Sequence, residues 1–278
     1  LNGIGEISGA VFVESRNRLF LFARCFGRAF LGGVDGELCA EGILRVTVVD
    51  GRDRIKRKRW ELIGRKIKVA FDFKKEYKEF YMPKNKPQIV EVPKANYIAV
   101  RGKGNPNEEG GEYQQAIGVL YAVAYTLKMS YKTDYKIDGF FEYVVPPLEG
   151  FWWQENVQGV DYSNKDTFCW ISVIRLPEFV TQKDFAWAVE TATKKKKMDC
   201  SSAEFFTIDE GLCVQIMHLG AFDDEPKTVA LMDAYLQEHG FVNDFSEKRL
   251  HHEIYMSDAR KVAPEKWKTV IRHPIKRN

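Results

Sequence analysis

An α+β fold built from two diverged copies of a strand-helix-strand-strand unit is the architecture this sequence predicts. Two observations predict it. In each half a strand leads through a Gly-bearing turn with acidic residues into an amphipathic helix. Each helix is then followed by a strand with a central glutamate, FFEYVV around Glu142 and HEIYM around Glu253. Duplicated units of this kind sit about a pseudo-twofold axis, join their sheets and leave a cleft between them. Such clefts are common ligand sites.

The elements follow in order. The stretch FDFKKEYKEFYMPKNKP from Phe71 is a charged amphipathic lead-in ended by Pro83 and Pro87, which marks a domain boundary near residue 70. A strand is expected at Ile89 to Val92 or Tyr97 to Val100, then the turn GKGNPNEEGG. Ile117, Leu120, Tyr121, Ala124 and Leu127 recur at helical spacing and predict a helix from Tyr113 to Met129. Strands are expected at Phe140 to Val145 and Phe168 to Ile174, separated by PPLEGFWWQE, with a helix from Lys183 to Lys197. In the second half a strand at Leu212 to Leu219 precedes the acidic turn AFDDEP and a helix from Lys227 to His239, closed by Gly240 through a left-handed cap. Strands at His251 to Met256 and Lys268 to Ile275 complete the copy.

Residues 1 to 69 read differently. Gly and Arg are scattered through short apolar runs with no sustained period, so a poorly structured N-terminal extension is expected there. The chain opens on Leu1 and its first methionine is Met82, as for an appended tail or an artefact of start-site choice. The run KRKRW from Lys56 to Trp60 is read as solvated rather than as a nucleic-acid patch. Residues 70 to 278 form the second domain.

With 278 residues, a 45% hydrophobic share and a formal net charge of +3, the chain has the composition of a globular protein with a sizeable core. That balance argues against a surface built wholly for nucleic acid or anionic membrane. Five cysteines without CxxC spacing suggest neither a disulfide framework nor a structural zinc site. No apolar run reaches the length of a membrane span, and a cytoplasmic location is expected. No cofactor motif is present: GxxxxGK[ST], GxSxG and HExxH are all missing. A metal is not expected either, because the adjacent His251 and His252 on a strand point to opposite faces.

The same alternation puts His251, Glu253 and Tyr255 on one face of their strand, and His252, Ile254 and Met256 on the other. With Ile254 and Met256 turned to the helices, Glu253 and Tyr255 look into the cleft. Phe140 and Glu142 of the first copy, and Trp170 of the third strand, are expected to line the same cavity. A carboxylate among Trp and Tyr faces suits a flat, cationic organic molecule, since stacking supplies area and charge supplies orientation. Glu253 could equally be a solvated residue on an open sheet face.

The motifs EFYMPKNKP, VRGKGNPNEEGGEYQQAIGVLY, FFEYVVPPLEGFWWQ, WISVIRLPEFVT, DEGLCVQIMHLGAFDDEP and HHEIYMSDARKVAPEKWKTVIRHP together resemble the stand-alone GyrI-like proteins, over about residues 70 to 276. The resemblance implies a duplicated α+β fold, a mostly antiparallel sheet with helices on one side, and a ligand cleft between the copies. It implies binding of bulky planar aromatic or cationic xenobiotics, with Glu253 as the carboxylate that carries over. It also implies a hydrolase acting on cyclopropane-bearing DNA-alkylating compounds, with a non-catalytic sensor, or a protein-interaction module such as a topoisomerase inhibitor, as alternatives. Glu253 and Tyr255 are the candidate catalytic pair. Glu142, Phe140, Trp152, Trp153, Trp170 and Tyr121 are the candidate ligand-binding residues. The expected partner is a small aromatic molecule, with neither nucleic acid nor membrane involved, on a monomer or weak dimer. Ala259 stands where related sequences often have proline.

Overall fold

The computed structural model describes residues 70–157, 161 and 163–278, and the backbone of six strands within the first 69 residues. The chain divides into two compact units, Leu1–Lys68 and Val69–Asn278. In the first unit β1 (Ile4–Ile7), β2 (Ala10–Ser15) and β3 (Arg18–Ala23) form one antiparallel sheet, and β4 (Val34–Leu38), β5 (Leu44–Val49) and β6 (Ile55–Trp60) another. Strands thus occur where the sequence shows no sustained period. The side chains and connections of this unit, and with them the expectation of little packed structure and the reading of the basic run at Lys56, lie outside the described residues.

The second unit opens with two short helices, α1 (Phe73–Glu76) and α2 (Lys78–Tyr81), in the predicted lead-in. Then follow β7 (Gln88–Val92), β8 (Ala95–Lys103), α3 (Glu112–Lys128), β9 (Leu148–Gln154), β10 (Phe168–Arg175), α4 (Gln182–Lys196) and β11 (Glu204–Ile208). The second half contains β12 (Gly211–Leu219), α5 (Glu225–His239), β13 (Phe241–Asn243), β14 (His251–Tyr255) and β15 (Lys268–Arg277). The main sheet runs β11-β8-β10-β9-β14-β15-β12-β7, every pairing antiparallel. The repeated unit is β8-α3-β9-β10 and β12-α5-β14-β15, and the copies join where β9 pairs with β14.

Local chemistry explains the helices. On α3 Ala116, Val119, Leu120, Val123 and Leu127 are buried at three- and four-residue spacing, the stripe a core-facing helix needs. Thr181 and Asp184 form a capping box at the start of α4, and three lysines occupy its last turn, where cations meet the negative end of the helix dipole. Gly240 ends α5 with φ 73°, a left-handed conformation that costs glycine little.

The strand expected over Phe140 to Val145 does not form. Residues 140–145 are not a strand of the sheet; Tyr143 makes only an isolated bridge to Phe71, with Phe71 N–H donating to Glu142 O (2.8 Å) and Val144 N–H to Phe71 O (2.7 Å). Pro146 and Pro147 follow at once and offer no N–H to a ladder. The first copy's central strand is instead β9, in the stretch read as a separator. Its register sets Gly150, not Glu142, opposite Glu253.

The three long helices share one face. Val100, Trp152, Trp170 and Ile174 pack with α3 and α4, and Val214, Ile216 and Ile271 with α5. The other face carries α1 and α2, tied down by a buried charged network. His252 is fully buried, stacks on Phe151 and meets Glu149 (Nε2···Oε2 3.1 Å) and Glu210 (Nδ1···Oε1 2.9 Å). Arg272 donates to Glu210 (2.8 Å) and to Phe80 O (3.0 Å), and the Tyr81 hydroxyl donates to Glu149 (3.1 Å). Ile254 packs on this face with Phe73, Phe80, Tyr81 and Tyr143. The expectation that Ile254 and Met256 face the long helices is therefore corrected: their neighbours are α1 and α2, and Glu253 lies on the side of the long helices.

Candidate functional site

Cross-strand pairing places Val100, Ser172, Gly150, Glu253, Ile271 and Ile216 in one row across the sheet. Its outer members pack with α3 and α5, so Glu253 stands where the two copies meet, with one helix group on either side. The duplication implied a cleft at this seam, where the two helix groups flank the sheet. Among the described residues no helix is long and apolar enough to cross a membrane.

Aromatic side chains gather around that carboxylate. Trp152 Nε1–H donates to the Tyr255 hydroxyl (2.8 Å). The Tyr113 ring of α3 lies 5.3 Å from Trp152 and edge-on to Trp170 at 5.2 Å, and Phe222, just before α5, meets Tyr255 at 5.7 Å. Burial, then the charge of Glu253, holds the Tyr255 hydroxyl well above its ordinary pKa, and burial does the same to Tyr113. Both phenols therefore stay protonated and able to donate.

Gly150 makes room for this arrangement. A Cβ there would fall 2.7 Å from Trp152 Nε1 and 3.0 Å from the Tyr255 hydroxyl. Gly150→Ala is therefore expected to displace the Trp152–Tyr255 pair and cost about 1–3 kcal/mol, the usual range for overpacking. Urea unfolding would measure it; unchanged stability would mean the pair has slack.

On the polar side, His251 Nε2 lies 3.0 Å from Glu253 Oε1, and its Nδ1 lies 2.8 Å from His273 Nε2. Glu225, buried at the start of α5, brings a carboxylate oxygen within 4.8 Å of the ligand-type atoms of His251 and Glu253. These three are the residues that could hold a metal ion here. His251 and His252 do diverge to opposite faces, as alternation requires, so any ion would need Glu225, which the sequence reading left in an acidic turn.

Of the residues singled out from sequence, the structure gathers Glu253, Tyr255 and Trp152, with fully buried Trp170 beneath Tyr113. Tyr121 lies eight residues beyond Tyr113 on the same face of α3 and feels the charges of Arg260 and Asp258, from the β14–β15 connection. Three others lie elsewhere. Glu142 is exposed in a loop. Phe140 packs against Tyr131, Tyr143 and Phe179. Trp153 points to the opposite face, among Tyr97, Phe151 and Ile171. Tyr113, Phe222, Glu225 and His273 are the neighbours of the site that sequence reasoning missed. Only Tyr113 left a trace, in its helical spacing to Ile117 and Tyr121. A surface depression of about 540 Å³ lined by Gly104, Asn105, Asn107, Glu108 and Asp166 shares no residue with the cluster.

The comparisons agree with this fold. A search of the curated proteins found no match. Among solved structures, a hydrolase from Listeria innocua is 46% identical, with TM-score 0.68, and covers 74% of this chain and 100% of its own. A second Listeria innocua structure, of an uncharacterized conserved protein, is 48% identical, with TM-score 0.70 and the same coverage. The model of the GyrI-like small molecule binding domain matches residues 85–276. The chain thus belongs to the GyrI-like family of small-molecule-binding domains.

Proposed function

We propose that the cleft between α3 and α5 binds bulky planar aromatic compounds, cationic ones above all, and hydrolyses strained cyclopropane-bearing alkylators among them. The observation that carries this reading is the set of Glu253, Tyr255, Trp152 and Tyr113: one carboxylate and three aromatic side chains, two of them phenols, at the junction of the copies. Flat ligand faces stack on the rings, while the carboxylate orients positive charge. For hydrolysis, Glu253 accepts a proton from water, the oxygen adds to the strained ring as a C–C bond breaks, and the Tyr255 hydroxyl polarises the group that takes up the electrons. The name hydrolase carried by the Listeria innocua relative supports the catalytic part. Such a protein would act as a cytoplasmic detoxifier, as a monomer or weak dimer.

The test is incubation of the full chain with a cyclopropane-bearing alkylator, followed by mass analysis. A product one water heavier is expected from the wild type and not from Glu253→Gln. Equal product from both would remove Glu253 from the chemistry, whereas saturable binding without product would leave a ligand-binding protein.

A further inference from the structure

We propose that His251 and His273 are positioning residues for Glu253: His273 fixes His251 as the Nε2–H tautomer, and that proton holds Glu253 as an oriented carboxylate facing the cleft. The inference rests on reading Glu253 as the ligand-facing group.

Two ring nitrogens, His251 Nδ1 and His273 Nε2, face each other at 2.8 Å, so one must donate and the other accept. The far nitrogen decides which. His273 Nδ1 is buried without a hydrogen-bond partner among the described residues. A proton there would be an orphaned donor, costly in a protein interior, whereas an unpaired acceptor is better tolerated. His273 therefore carries its proton on Nε2 and gives it to His251 Nδ1. With its Nδ1 accepting, His251 has one place for its own proton, Nε2, which lies 3.0 Å from Glu253 Oε1. Burial, and next to it His251, keep His273 well below the ordinary histidine pKa, in the neutral form the chain requires.

An ion bound to His251 Nε2 would need the proton on Nδ1, which would drive the proton of His273 onto the partnerless Nδ1. The grouping of Glu225, His251 and Glu253 is accordingly a proton network rather than a metal centre. Tyr255 on the same strand, Tyr113 from α3 and Glu225 from α5 complete the titratable groups around Glu253. Glu253 thus receives the His251 Nε2–H at 3.0 Å, which orients its carboxylate.

Histidine ¹⁵N NMR on the full chain tests this without a ligand. Both His251 and His273 are expected as Nε2–H tautomers, with His273 neutral at pH 6.5, the ordinary histidine value. Binding of ethidium, a planar aromatic cation, gives a second readout: in His251→Gln and in His273→Phe its affinity should fall about tenfold, and in His273→Phe His251 should no longer be fixed as the Nε2–H tautomer. A proton found on Nδ1 of His273, or stoichiometric zinc binding lost in His251→Gln, would overturn the inference. If ethidium fails to bind at all, the reading of the cleft fails, and the tautomers still decide this proposal separately.

Discussion

Replacing His252 with phenylalanine is expected to destabilise the protein by about 3–5 kcal/mol, the range for stripping one partner from a buried ion pair. Phenylalanine keeps the stacking on Phe151 but removes the cation that Glu149 and Glu210 share. The pH dependence carries the same signature. Burial opposes the charge on His252, yet Glu210 and Glu149 raise its pKa above 6.5. Its contribution is thus full below about pH 6.5 and lost as pH rises through the raised value. Glu210 is also penalised by burial, but His252 and Arg272 bring it from 4.5 down to about 2, so its contribution is present above pH 4.5 and lost as pH falls through 2. Stability should peak between those limits, and His252→Phe should lose the alkaline decline. Urea midpoints across pH give the answer; a loss under about 1 kcal/mol would mean the two carboxylates do not depend on His252.

Glu253→Gln carries the largest functional effect. Affinity for a planar aromatic cation should fall about tenfold or more, roughly 1.4 kcal/mol, while affinity for a neutral compound of the same shape stays nearly unchanged. Calorimetry with a matched pair of ligands separates the two. Equal losses for both would mean that the substitution disturbs the aromatic walls, and no loss for either that Glu253 stands outside the ligand site.

The fold was legible where side-chain periodicity and turn chemistry agree. The helices from Glu112, Gln182 and Glu225, and the strands at Phe168, Gly211, His251 and Lys268, lie within a few residues of their sequence reading. Reading failed where strand propensity and backbone pairing part. FFEYVV has the aromatic and β-branched content of a strand, but two prolines cut its ladder and Phe71 takes its hydrogen bonds. The glycine in LEGFWWQ, a mark of a separator in sequence, is what lets β9 pass beneath Trp152 and Tyr255. That single misplacement sent Glu142 to the cavity, though it lies exposed in a loop. Glu253, Tyr255 and Trp152 were accessible from alternation and resemblance together. Glu225 and His273 were not, because the contacts that matter join residues far apart in sequence.

On the proposed function, ligand enters between α3 and α5 onto the face of the sheet that bears Glu253. Titration of the full chain with a planar aromatic cation, followed through the indole N–H resonances of its tryptophans, tests this most directly. A saturable shift of Trp152, whose Nε1–H is bonded to Tyr255, is expected, with little change at Trp153 on the opposite face or at Trp187, stacked on Tyr135. A shift confined to Trp153 or Trp187, or no saturable shift at any indole, would contradict it.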